Sequence, residues 1–213
     1  MVEHQPHLYQ VHLTELESPA GQRLAASMTD AWAERCAVLL SAFEPQAHPA
    51  WCALASTVVA WRALGLSSVP TQQSLCNYYT AMFGGECRGI SLTQLEVMLQ
   101  TFAADANASL RVHCCAGDVA DELLVSLLGD LESEGSFVLV NFLRQLNGSW
   151  TGHWSVIAGI ACDADGTDKH ALVLDVAAHK IGPHWVPLPL IVACMATRNH
   201  LNQSRGYIRL SCR

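Results

Sequence analysis

The sequence predicts an α+β fold in which helices come first, an antiparallel sheet follows, and a cleft lies between them. Two patterns carry this. Alanine- and leucine-rich stretches at helical spacing dominate up to about residue 131, and from Phe137 onward short apolar runs separated by turn residues take over. Composition allows it: 213 residues, 51% hydrophobic and only 15% charged, can bury a sizeable core as one large domain or two small lobes.

Residues 1–12 are polar with scattered histidines, and His4 and His7 read as a surface arm rather than a metal site. From Ser18 to Phe43 the chain forms one or two helices, opened by Ser18 as N-cap and Pro19 at the first helical position. Next comes Gln46-Ala47-His48-Pro49-Ala50-Trp51-Cys52, which places a cysteine behind a proline-containing loop at the start of an apolar helix. In that helix Leu54, Val58 and Trp61 share a stripe widened by Ala55 and Val59, and Gly65 stops it. A thiol at a helix N-terminus feels the positive end of the dipole, which favours the nucleophilic thiolate. Gln46 lies six residues upstream, where its amide can meet an oxyanion beside the Cys52 N–H.

Gly84 to Gly89 reads as a loop that either walls the cleft or simply connects. Ser91 opens an amphipathic helix from Leu92 to Phe102. Arg111 to Cys115 reads as a structural strand, because adjacent Cys114 and Cys115 lack the spacer that lets two thiolates share a tetrahedral zinc. Asp118 to Leu131 forms a helix, and Phe137 to Leu143 an apolar strand central in the sheet. Residues 153–161 and 171–177 form a hairpin around Asp165-Gly166, which puts His153 and Asp175 at the same mouth. Leu188 to Met195 is a short helix and Tyr207 to Leu210 a last strand. Cysteine, then histidine, then a carboxylate, with glutamine ahead of the cysteine, is the papain order of parts.

Function classes narrow in the same way. A net charge of −7 and a pI near 5.7 argue against nucleic acid or an anionic membrane as partner. No run reaches transmembrane length, the N-terminus is not a signal peptide, and nine cysteines without regular spacing fit a reduced, cytoplasmic chain. No cofactor and no bound metal are expected, and a homodimer is left open.

The chain resembles the catalytic domain of phytochelatin synthases, papain-like cysteine enzymes. The resemblance rests on Gln46 through Ser56, on Thr151-Gly152-His153-Trp154-Ser155, and above all on Leu174-Asp175-Val176-Ala177 with Lys180 and Pro183-His184-Trp185-Val186-Pro187-Leu188. Ser18 to Leu24 is similar to the segment before the family's first helix, and Gly206-Tyr207-Ile208 to its closing strand. It implies one papain-like domain over 13–213, with a helical lobe over about 13–130 and a sheet lobe over about 131–213. It implies Cys52, His153, Asp175 and Gln46 as catalytic residues and an acyl-enzyme on Cys52. In the family the acyl group is γ-glutamylcysteine, cut from glutathione with release of glycine and passed to a thiol peptide, an amine or water. The short bacterial relatives consist of the catalytic domain alone and mainly hydrolyse glutathione, and this chain is expected to be of that short form.

Departures from the family bear on specificity. Its arginine after Asp-Val-Ala is here Ala178, the residue after the nucleophile is Ala53 rather than glycine, and the aromatic before it is Trp51 rather than tyrosine. Arg144 matches another family arginine after a one-residue shift and is the candidate replacement clamp, with Trp51, Trp150 and Trp154 as pocket wall. Two alternatives stand beside the family reading. One is an acyltransferase with the same triad that takes a less polar donor, such as a thioester, to form an amide. The other is a non-catalytic thiol- or metal-binding protein.

Overall fold

The computed structural model describes residues 13–144, 151–163 and 165–212. The arm expected over 1–12, with His4 and His7, and Trp150 lie outside these residues. Helices α1 (Pro19–Ala26), α2 (Asp30–Ala42), α3 (Cys52–Ala63), α4 (Gln72–Phe83) and α5 (Leu92–Asp105) form the first part, after the two-residue strand β1 (Thr14–Glu15). Strand β2 (Leu110–Ala116) and helix α6 (Ala120–Leu131) come next. Strands β3 (Ser136–Arg144), β4 (Thr151–Cys162), β5 (Lys169–Leu174) and β6 (His184–Pro187), helix α7 (Leu188–Met195) and strand β7 (Gly206–Cys212) complete the described order.

The α+β class holds. All described strand pairs are antiparallel, in one seven-stranded sheet of order β1-β6-β5-β4-β3-β7-β2. The expected hairpin is present as β4 and β5. The two halves are interleaved rather than divided near residue 130, because β1 and β2 add to the sheet's two edges. Helices cover both faces of the sheet. One layer packs Leu54, Val58, Trp61, Leu75 and Leu95 against Leu139, Val156 and Leu172. The other packs Leu123, Leu127, Ile191 and Met195 of α6 and α7 against Val138, Val140, Ile157 and Val173. A strand buried on both faces needs apolar residues of both parities, which is why Phe137 to Leu143 reads as a continuous run.

Local chemistry sets the helix starts. Ser18 accepts the Gly21 N–H at 3.0 Å with Pro19 following it, and Ser91 and Gln94 form a reciprocal capping box on α5. Helix α4 was not expected from periodicity. Its signal is a second capping box, Thr71 with Ser74, and a left-handed Gly84 at its end. Strands β1 and β6 were also missed, being two and four residues long.

Candidate active site

Cys52 is the first residue of α3, which runs across β4, the middle strand of the sheet. The loop before it is held from three sides. Gln72 accepts the Ala47 N–H at 2.9 Å and donates to the Pro45 carbonyl, Glu44 pairs with Arg62 at 2.7 Å, and the Gln46 N–H bonds the Val176 carbonyl at 2.8 Å. That last bond ties the loop to the end of β5, where Asp175 lies.

The sheet supplies the rest by register. Phe142 stands opposite His153, Arg144 opposite Thr151, Val156 opposite Leu174, and Val173 opposite His184. Strand alternation therefore gives Arg144 on β3, His153 on β4, Asp175 just past β5 and His184 on β6 one common face, as a row across four neighbouring strands. The imidazole Nε2 donates to Asp175 Oδ1 at 2.8 Å, which leaves Nδ1 for the Cys52 thiol. Asp175 Oδ1 also accepts the Ala177 N–H at 2.8 Å, while Arg144 Nη2 stands 2.9 Å from Oδ2. His153, Asp175 and Arg144 are 5%, 1% and 6% exposed, so these contacts are shielded from water.

Titration follows from these contacts. Burial pushes the Cys52 thiol up, but the hydrogen bond and positive charge of His153, with the Trp154 and Ala53 amides, outweigh it and the pKa falls below its ordinary value. Burial pushes His153 down, and its bonds to Asp175 and Cys52 reverse this, raising it to about 9. Burial raises the Asp175 carboxyl, yet His153 and then Arg144 hold it below the usual range. Cys52 and His153 thus favour the thiolate–imidazolium form near neutral pH. His184 goes the other way, lowered by burial, and stays neutral.

Beside Cys52 lies a cleft of about 400 Å³. It is lined by His153 and Arg144, by Gly89 to Ser91, and by Asn141, Lys180, Asn199, His200 and Arg205, with no carboxylate side chain among the lining residues. Arg205 is 6% exposed and donates to Asn141 Oδ1 at 3.0 Å, yet no carboxylate pairs with it among the described residues. Gly152 makes room for it, because a Cβ there would collide with the Arg205 guanidinium. A larger cavity of about 510 Å³ lies between α2 and the start of β3 and contains none of these groups.

Of the residues singled out from sequence, the structure brings Cys52, His153, Asp175, Arg144 and Trp154 together. Trp154 is buried and its indole donates to the Ile90 carbonyl at 2.9 Å, which fixes the glycine-rich loop as a cleft wall. Gln46 sits near the site, but its Nε2 donates to the His48 carbonyl at 3.0 Å and it does not line the cleft. Trp51 lies against His48 in a tilted ring pair with centroids 5.4 Å apart, and Ala178 is exposed; neither lines the cleft. Arg144 is engaged with Asp175 rather than free to grip a ligand. Sequence reasoning missed Asn141, Lys180, His200 and Arg205 as lining groups. An arginine directly before the glycine of Gly206-Tyr207-Ile208 was the available signal for Arg205.

Among the described residues no helix is long and apolar enough to cross a membrane, and no group of three or more His, Cys, Asp or Glu side chains is placed to hold a metal ion.

Comparison with known proteins adds the following. The chain is 28% identical over 178 residues to glutathione gamma-glutamylcysteinyltransferase 1 of Arabidopsis thaliana, covering 79% of this chain and 34% of that protein. It is 24% identical over 208 residues to glutathione gamma-glutamylcysteinyltransferase 3 of Lotus japonicus, covering 92% and 42%. With the glutathione gamma-glutamylcysteinyltransferase of Schizosaccharomyces pombe it shares 26% over 171 residues, covering 78% and 40%. The chain therefore spans well under half the length of these curated relatives. Among solved structures, UfSP from C. elegans aligns with a TM-score of 0.43 at 14% identity, covering 80% of this chain and 32% of that one. The family model described as phytochelatin synthase matches residues 5–207, nearly the whole length, and the chain belongs to the phytochelatin synthase family.

Proposed function

We propose that residues 13–213 form a cysteine-dependent acyltransferase or peptidase that carries a γ-glutamylcysteinyl group on Cys52. The observation that carries this reading is the buried relay from Cys52 through His153 to Asp175, with the thiol pKa lowered and the imidazole raised. The Cys52 thiolate attacks the amide carbonyl carbon of a glutathione-type peptide. The Cys52 N–H at the start of α3 stabilises the oxyanion, joined by the Gln46 amide once it leaves the His48 carbonyl. His153 gives its proton to the departing glycine amine, and Asp175 keeps the imidazole in the required tautomer. A thiol peptide, an amine or water then attacks the thioester and restores the thiolate.

The lining of the cleft bears on the acyl donor. Lys180 and Arg205 face the cavity without a lining carboxylate to neutralise them, which favours a peptide carrying carboxylates over a less polar thioester. The family arginine absent at Ala178 is a lesser loss, because Ala178 does not line the cleft. The relatives' names, which describe γ-glutamylcysteinyl transfer, agree with this donor.

Intact mass spectrometry after incubation with glutathione tests the proposal. The expected result is a γ-glutamylcysteinyl adduct on Cys52 with free glycine released. No adduct from glutathione, or an unchanged adduct in Cys52→Ser, overturns it. An adduct from a simple acyl thioester but none from glutathione selects the less polar alternative.

A further inference from the structure

The loop ahead of Cys52 is gripped by a buried side chain that takes no part in the relay. Gln72 is the first residue of α4, and the capping box of Thr71 with Ser74 fixes the backbone there. It is 7% exposed, and its amide bonds the residues on either side of Gln46. Oε1 accepts the Ala47 N–H and Nε2 donates to the Pro45 carbonyl, both at 2.9 Å. Nε2 also donates to Glu44 Oε1 at 2.7 Å, and Glu44 Oε2 pairs in turn with Arg62 of α3 at 2.7 Å. On its other side the Gln46 N–H bonds the carbonyl of Val176, next to Asp175, at 2.8 Å. The Gln46 backbone is therefore held between α4 and the end of β5. Its side chain is only half engaged: Nε2 donates to the His48 carbonyl at 3.0 Å, and Oε1 is buried with no partner among the described residues.

We propose that Gln72 is a positioning residue for acyl transfer, holding Gln46 where its amide turns from the His48 carbonyl to the oxyanion formed at the carbon that Cys52 attacks. This rests on the acyl-enzyme reading of Cys52 and adds the residue that aims the second oxyanion donor. Such a donor works by being in place before the charge develops, so that no reorganisation is needed at the moment of reaction. Gln46 has no regular element of its own to hold it, because residues 43–51 are neither helix nor strand. Gln72 brings the rigidity of a capped helix to that loop. Its oxygen and its amide nitrogen are both committed to residues 44–47, and it does not line the cleft, so its effect on the reaction passes through Gln46.

Two reagents that modify Cys52 without glutathione test this. The thiolate attacks p-nitrophenyl acetate at its carbonyl carbon, forming a C–S bond and a tetrahedral oxyanion that collapses to S-acetyl-Cys52 and p-nitrophenolate. It attacks iodoacetamide at the CH₂ carbon, where the C–S bond forms as iodide leaves and no oxyanion arises. Both rates are read on the Cys52 peptide by mass spectrometry, which keeps the other thiols out of the measurement. Gln72→Met keeps the side-chain length and removes its hydrogen bonds. It should slow acetylation about tenfold while alkylation stays within about twofold of wild type. In a Gln46→Ala background the same substitution should slow acetylation by less than about twofold, because the two residues act as one unit. Where Gln72→Met fails to fold, Gln72→Glu takes its place; it keeps an oxygen for the Ala47 N–H, loses the donor to Pro45 and should show the same split between the two reagents.

Unchanged acetylation overturns the proposal. Equal slowing of acetylation and alkylation also overturns it, since that marks a general disturbance of the helix start at Cys52. So does a tenfold loss that persists in the Gln46→Ala background. Each of these leaves the acyl-enzyme reading standing, whereas wild-type Cys52 that is alkylated but never acetylated overturns both.

Discussion

Replacing Arg144 by methionine keeps the aliphatic stem and removes the charge, which makes it a sharp probe of the row across β3, β4 and β5. Asp175 is 1% exposed, and its two oxygens have unequal support. Oδ1 receives His153 and the Ala177 N–H, both at 2.8 Å, whereas the only partner of Oδ2 among the described residues is the Arg144 guanidinium at 2.9 Å. Arg144→Met therefore leaves half of a buried carboxylate uncompensated. Removing one member of a buried pair costs about 3–5 kcal/mol, a large part of the roughly 5–15 kcal/mol that holds a domain folded. Without the guanidinium the carboxyl also titrates higher, and its hold on the His153 tautomer weakens. Urea denaturation at neutral pH should show the stability loss, and kcat should fall by about tenfold or more, equivalent to 1.4 kcal/mol. Arg144→Lys should recover part of both. If Arg144 were a substrate clamp, its removal would raise KM and leave stability within about 0.5 kcal/mol, as for a surface change. A stability loss below about 1 kcal/mol together with a selective KM effect would refute the positioning role.

Other outcomes are expected. Cys52→Ser should lose acyl-enzyme formation by about 10³-fold or more, while Cys114→Ser and Cys115→Ser retain it, measured as adduct yield by mass. The stability that His153 gains from its partners is complete below its ordinary pKa of 6.5 and lost as pH rises through about 9. Asp175 contributes above its ordinary 3.8 and loses its contribution as pH falls through its lower folded value. Denaturation from pH 3 to 10 should show the alkaline loss in wild type and not in His153→Ala. Gly152→Ala should displace the Arg205 guanidinium and raise KM for glutathione by about three- to tenfold with a smaller effect on kcat. Dialysis against a chelator should leave the melting temperature unchanged; a marked drop would favour the metal-binding alternative.

Most of the elements were legible because their signals are local. Ser18-Pro19, Ser91 with Gln94, and the stripe of Leu54, Val58 and Trp61 act through contacts within a few residues. The hairpin of β4 and β5 was readable from alternation around one turn, and with it the approach of His153 to Asp175. Helix α4 was missed because Gln72, Gln73, Asn77 and Thr80 dilute its apolar stripe, so its capping box was the better signal. The two-residue β1 is a strand only because β6 lies beside it.

Propensity, capping and alternation are properties of the chain, and the α+β class, the helix that begins at Cys52 and the hairpin that carries His153 and Asp175 all follow from them. From the sequence Arg144 read as a substrate clamp and Arg205 had no role. The positions of both arginines in the folded protein depend on register between strands far apart in the chain. Pairing of β3 with β4 and of β4 with β5 turns Arg144 toward Asp175, and pairing of β3 with β7 sets Asn141 opposite Gly206, so that Arg205 reaches the cleft. A one-residue slip in either pairing would send these side chains to the opposite face, and no local pattern in the sequence records which register wins.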